Sequence, residues 1–184
     1  MTEQPNANNT NMKQSMDIEA IRRVNSLWIK VYPYLAAQII ESYQRDSGSV
    51  LELGPFSGGI SRELAKLYPK LDITIAEELP DGSSRFDLII FRGAFFFLFK
   101  KKDVLRGIFE ALKDGGMAFV GGGYGKGIPQ KIIDEIADES RELNERLGRR
   151  RVSIEELAGL IKKSGLIDNC RIEEEGGVWL VIRK

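Results

Sequence analysis

Apolar residues recur at helical spacing from Asp17 to about Tyr43, at Ile18, Ile21, Leu27 and Val31. Pro33 divides this stretch in two, and Ser47-Gly48 closes it. Residues 49–53, "SVLEL", then read as a short buried strand turned by Gly54-Pro55. "GGISRELAKLY" is a helix stopped by Pro69, and "LDITIA" alternates with a period of two, as strands do. "FDLIIF" has no wet face, so it belongs in the middle of a parallel sheet. "KDVLRGIFEALK" is an amphipathic helix ended by Asp114-Gly115-Gly116, and "MAFVGGG" is another buried strand. "PQKIIDEIADESRELNERLG" is a long helix with Pro129 at its start and Gly148 past its end. Ser153 opens "IEELAGLIKKSG" with a glutamate three residues on, a capping box. "CRIEEEGGVWLVIRK" gives two strands about a Gly176-Gly177 turn.

Strands alternating with helices predict one three-layer α/β domain. Its sheet has about six strands, mostly parallel, with the last antiparallel. The Asn-rich residues 1–16 are too polar to join a core and are expected to form a disordered tail. The domain then spans 17–184, with a helical lid over 17–47 and the sheet core over 48–184.

Composition narrows the chemistry. The formal net charge is zero, so no bulk electrostatics favours nucleic acid or a membrane surface. There is no histidine, which removes Ser–His and Cys–His catalysis and the usual zinc sites. A single cysteine, Cys170, cannot form an internal disulfide. The most apolar run, "LIIFRGAFFFLF", is broken by Arg92 and Gly93, and the N-terminus lacks a signal-peptide core. A cytoplasmic protein is expected.

The turn "ELGPFSGG" after the first strand carries the site. In open parallel sheets, ligands sit at the carboxyl ends of the strands, where strand order reverses. A dinucleotide fingerprint needs glycine at the position of Phe56, so that backbone can approach a pyrophosphate. Phe56 therefore disfavours NAD and FAD. The turn resembles motif I of the class I S-adenosylmethionine-dependent methyltransferases, through Glu52, Gly54, Phe56 and Gly58. "LRGIFEALKDGG" and "GGVWLVIRK" are similar to later segments of the small type 11 members, and the likeness runs over about residues 48–184.

That resemblance implies a Rossmann-like sheet and S-adenosylmethionine as cofactor. It also implies a methionine-and-ribose contact from Glu52, Gly54, Pro55, Phe56 and Gly58. The acid ending the second strand would take both ribose hydroxyls, because a carboxylate accepts two hydrogen bonds. "ITIAEE" offers Glu77 for this, with Glu78 as the alternative. Arg92 and Gly93, after the fourth-type strand, would face cofactor and acceptor. Arg92 would meet either the methionine carboxylate or an acidic substrate. Tyr32 and Tyr34 of the lid and Tyr124 of a mobile "GGGYGKG" loop are candidate substrate contacts, with plain packing as the alternative for the lid pair. Trp28 reads as core. "RLGRRR" (146–151) reads as a solvated helix end.

One departure is marked. Eight residues, "ELPDGSSR", replace the helix, strand and adenine-side turn that follow the second strand in that family. The link must span roughly 20 Å, and eight extended residues reach about 27 Å. It leaves "LDITIA" as a sheet edge with open hydrogen-bonding groups and exposes apolar surface beside it. Either a second chain covers residues 71–85, making a homodimer, or the N-terminal helices fold over the hole. Function then divides into two readings. One is methyl transfer to a small acceptor with weakened cofactor binding; the other is a non-catalytic dimeric binding or scaffold module.

Overall fold

The computed structural model describes residues 17–99 and 103–184; the tail expected at 1–16 lies outside them. Two helices lead, α1 (Ile18–Leu27) and α2 (Tyr32–Tyr43), joined by a 3-10 turn at Trp28–Lys30. Then follow β1 (Ser47–Leu53), α3 (Gly59–Leu67), β2 (Lys70–Ala76) and β3 (Phe86–Arg92). The chain continues with α4 (Val104–Ala111), β4 (Leu112–Gly122), α5 (Gln130–Arg146) and α6 (Ile154–Lys163). It closes with β5 (Cys170–Glu173) and β6 (Val178–Arg183). The six strands form one sheet in the order β2-β1-β3-β4-β6-β5. β2, β1, β3 and β4 are parallel, while β6 is antiparallel to both β4 and β5. β3 and β4, the most apolar strands, sit centrally, as expected of strands buried on both faces.

Element ends shift in ways with local causes. Pro33 lies in the first turn of α2, where its missing N–H costs nothing, so the break falls before it at 28–31. Gln44, in the left-handed region, ends that helix, and Ser47-Gly48 already belong to β1. Asp114-Gly115-Gly116 does not end α4; the helix stops at Ala111 and the glycines lie inside β4. A register shift between Phe86 and Leu88 marks a bulge there, and bulges absorb such residues.

β1, β3 and β4 are tied at their amino ends by Asp87. Its Oδ2 accepts from the Ser49 amide, the Ser49 hydroxyl and Lys113 Nζ, each at 2.8 Å. Burial alone would raise its pKa, but Lys113 and Ser49 outweigh that and hold it down to about 2. The folded pKa is depressed, so this stability is present above about pH 4 and is lost as pH falls toward 2. Asp87→Asn is expected to cost about 2 kcal/mol at pH 7. Urea unfolding at pH 7 and at pH 3 checks this: the difference between the two proteins should shrink at the lower pH. An equal difference at both would contradict the assignment.

The link from Glu77 to Arg85 is irregular chain. It is less taut than its length implied, because Gly82 and Ser84 both take positive φ. The Ser84 and Arg85 amides donate to the Glu110 and Ala111 carbonyls at 2.9 Å, and Leu79 packs near Gly107 of α4. The N-terminal helices lie elsewhere, α1 against α5 and α2 against α3. β2 is the sheet edge, as expected. The apolar exposure beside it is smaller than expected. Leu71, Ile73 and Ile75 share one face of β2, and the last lies near Gly58 at the start of α3. The opposite face carries Asp72 and Thr74. Leu67 and Ile75 are the large apolar side chains left exposed there. No described helix is long and apolar enough to cross a membrane.

Candidate functional site

The β1–α3 turn is built around Glu52, which is fully buried. Its carboxylate accepts from the Ser61 amide at 2.8 Å and the Ile60 amide at 3.4 Å. An anion at the first turn of a helix meets unpaired N–H groups and the positive end of the helix dipole. Glu52 is thus an anchor for the turn, with its carboxylate directed into α3.

Gly54 crosses to the neighbouring strand. Its amide donates to the Ala76 carbonyl at 2.8 Å, which sets Glu77, the next residue, beside the turn. Its φ of +97° and a Phe91 ring 2.7 Å from any added Cβ leave room for glycine alone. Pro55 is buried, and Gly58 forms the N-cap of α3, with the Ile75 side chain 3.8 Å from where its Cβ would be. Gly58, Ile75 and half-exposed Glu77 therefore form an open shelf at the ends of β1 and β2.

The crevice on the other side of β1 is filled. Phe56 is 1% exposed and lies against Gly93, just past β3, and against Phe96 at 5.2 Å between ring centres. Arg92, the last residue of β3, is 4% exposed. Its guanidinium carbon lies 4.9 Å from the Trp28 ring, 5.2 Å from Tyr32 and 5.3 Å from Phe56. Nη2 donates to the Phe56 carbonyl at 2.9 Å, to the Tyr32 hydroxyl at 3.0 Å and to Asn25 Oδ1. Nε has no hydrogen-bond partner among the described residues. Burial lowers the Arg92 pKa, while nearby Tyr32 and Glu52 favour keeping its proton. Tyr32 completes the cluster: its hydroxyl donates to Asn25 Oδ1 at 3.0 Å and its ring lies flush against Gly59, where an added Cβ would come within 2.2 Å.

Beyond Phe56, a cavity of about 90 Å³ is lined by Arg92, Gly93, Phe95, Trp28, Tyr124 and Arg149 among others. A groove of about 770 Å³ adjoins it, sharing Phe95, Tyr124, Asn144 and Arg149. The lid closes over the cavity through Val24 and Trp28 of the α1 segment. Exposed pairs hold α1 and the 3-10 turn after it on α5: Arg23 with Glu139 and Lys30 with Glu135, both at 2.5 Å, and the N-cap Asp17 with Arg146.

The structure brings Glu52, Gly54, Pro55, Phe56, Gly58, Arg92, Gly93 and Tyr32 to one end of the sheet, with Glu77 on the shelf beside them. Glu78 is exposed. Tyr124 stacks on Trp28 at 5.2 Å and lines both cavities. Tyr34 meets Gly125 through its backbone and Cβ and lines neither. The Gly-rich loop is packed rather than loose. The Gly125 amide donates to the Gly176 carbonyl at 2.7 Å, and Gly123 lies against Gly176-Gly177. Two residues carry more than their sequence context suggested. Trp28 forms a wall of the Arg92 cage as well as core. Arg149 of "RLGRRR" points its head at the cavity, where desolvation lowers its pKa, although the residue keeps surface exposure. Asn25 and Asn144 have no distinguishing sequence signal.

No protein-family model matches the chain, and no curated protein sequence does. Solved structures do. Over its full length the chain superposes, with a TM-score of 0.68 and 22% identity, on 97% of a Methanococcus maripaludis protein provisionally named an S-adenosyl-L-methionine-dependent methyltransferase. Mitomycin 7-O-methyltransferase gives 0.57 at 19% identity over 97% of the chain. Human N-acetylserotonin methyltransferase in complex with S-adenosylmethionine gives 0.55 at 14% identity over 94%. The chain spans 62% and 56% of the length of these last two proteins. The fold is the class I, Rossmann-like fold of S-adenosylmethionine-dependent methyltransferases.

Proposed function

We propose that the chain is a cytoplasmic S-adenosylmethionine-dependent methyltransferase acting on a small-molecule acceptor rather than nucleic acid. One observation carries the reading. The Gly54–Ala76 hydrogen bond sets Glu77, at the end of β2, beside the β1–α3 turn, and that turn borders the crevice between β1 and β3 where strand order reverses. The shelf fits the adenosine half of the cofactor: Glu77 for the ribose diol, Ile75 as an apolar flank, Gly58 for close approach. The Phe56 ring fills the crevice next to the shelf, so the methionine half would need that ring displaced from Gly93. Bound S-adenosylmethionine supplies an already activated methyl group. The protein's task is then alignment, and no proton-transfer residue is required of a chain without histidine.

Calorimetric titration with S-adenosylmethionine and S-adenosylhomocysteine tests this. Saturable binding is expected, with Glu77→Ala weakening it about tenfold. No heat from either compound at millimolar concentration would sink the proposal. Phe56 favours a second reading, a non-catalytic binding module, because it closes the crevice; that titration separates the two.

We also propose that a second copy covers the β2 edge. Seven residues of β2 pair on one side only, and Leu67 and Ile75 are exposed beside them. Sedimentation should show a dimer at concentrations well above micromolar, and a monomer there refutes it.

A further inference from the structure

The small cavity and the groove share Tyr124, Asn144 and Arg149 as lining, and neither is lined by Glu77 or Ile75 of the shelf. Resting on the methyltransferase reading, we propose that this is the acceptor site and that it takes a small carboxylate-bearing molecule. The carboxylate lies against Arg92 in the cavity, the body of the molecule runs into the groove, and Arg149 stands at the junction.

Arg92 is the foundation. It is a buried cation that pairs with no acidic side chain among the described residues. Glu52, the buried acid that influences it, is directed to the α3 amides. Among the described residues its hydrogen bonds leave from Nη2, whose two N–H groups are shared by three neutral oxygens, and Nε has no partner. A buried charge in that state is costly, and an anion delivered to it removes the cost. The rings of Trp28 and Tyr32 hold the guanidinium from the lid, and Phe56 adds a third wall while the crevice is closed. The Nε–H, which has no partner among the described residues, can give a carboxylate oxygen one charge-assisted hydrogen bond.

Size agrees. A volume of about 90 Å³ holds a head group, whereas sites for whole drug-sized ligands run from ~300 Å³ upward. The groove of about 770 Å³ has the missing room. Its lining carries Arg141, Arg149, Arg150 and Arg151 against one acid, Glu145, in a chain of zero net charge. Arg141 and Arg150 there are paired, with Asp138 and Glu156. Arg149 and Arg151 form no ion pair among the described residues. Phe95 and the stacked Trp28–Tyr124 pair give an aromatic body flat surfaces to meet.

The test is calorimetry on the full chain with benzoate, neutral benzamide and phenyl phosphate, each alone and with saturating S-adenosylhomocysteine. Benzoate should bind at least about tenfold more tightly than the other two under both conditions. Arg149→Gln should weaken benzoate about fivefold with an unchanged melting temperature. Arg92→Lys, which keeps the charge and loses the Nε–H, should weaken it further. If Arg92→Lys fails to fold, Arg149→Gln decides. Equal affinity for benzoate and benzamide, no benzoate binding, preference for phenyl phosphate, or indifference to Arg149→Gln overturns the proposal. Competition between S-adenosylhomocysteine and benzoate also overturns it, because Arg92 would then hold the methionine carboxylate. Benzoate binding as described without S-adenosylhomocysteine binding upholds the carboxylate site and refutes the cofactor reading alone.

Discussion

Glu52→Ala is expected to destabilise the domain by about 3 kcal/mol, with the loss showing as a lower unfolding midpoint. The residue has no exposed surface, so the substitution leaves a void rather than a hydrated gap. It strands the Ile60 and Ser61 amides, which the carboxylate now satisfies at 3.4 and 2.8 Å. It also removes the negative charge from the start of α3. Glu52→Gln keeps one acceptor and should fall between. The turn from Gly54 to Gly59 would loosen in both, so ligand binding should weaken with stability. Urea unfolding of the three proteins checks the order. Equal midpoints for Glu52→Ala and the parent chain would show that the turn does not depend on this anchor.

Phe56→Ala should separate stability from binding. Removing a phenylalanine from full burial costs about 3–5 kcal/mol. The lost contacts are those with Gly93, Phe96 and the Arg92 cage. Yet the same ring closes the crevice between the ends of β1 and β3. A ligand that binds only after the ring moves has its affinity reduced by the fraction of open molecules, and the truncation removes that reduction. Phe56→Ala should therefore be less stable and bind S-adenosylhomocysteine about tenfold more tightly. Calorimetry at a temperature well below its unfolding midpoint makes the comparison fair. Affinity falling together with stability would show that Phe56 supports the cofactor rather than blocking it.

Much of the framework was legible because local chemistry decided it. "FDLIIF" announced a central strand, Ser153 with Glu156 announced the α6 capping box, and Gly176-Gly177 announced the β5–β6 hairpin. "LDITIA" was readable as an edge because the link after it is too short for another strand, and β2 is that edge. The ends of α4 and β4 were not legible. Asp114-Gly115-Gly116 has the composition of a helix stop, and it is drawn into the strand by bonds of Gly115 and Gly116 to Lys184, while the register with β3 skips it. The turn of the site was readable from the likeness of Glu52, Gly54 and Gly58 to motif I; positive φ explains the two glycines, whereas the tie of Glu52 to the α3 amides appears only in the structure. The cage around Arg92 was not readable. Asn25, Trp28, Tyr32 and Phe56 come from separate segments, and no spacing along the chain records that their side chains converge. Arg149 was hidden for the opposite reason: cations at a helix end already have an explanation in the dipole.

The central claim is that the carboxyl ends of β1 and β2 hold an S-adenosylmethionine-type cofactor. Hydrogen exchange measured by mass spectrometry, with and without saturating S-adenosylhomocysteine, tests it most directly. Protection is expected to concentrate in residues 54–61 and 75–78, with the distant β5 edge at Cys170–Glu173 unchanged. No change at 54–61 and 75–78, or protection confined to other segments, would contradict it.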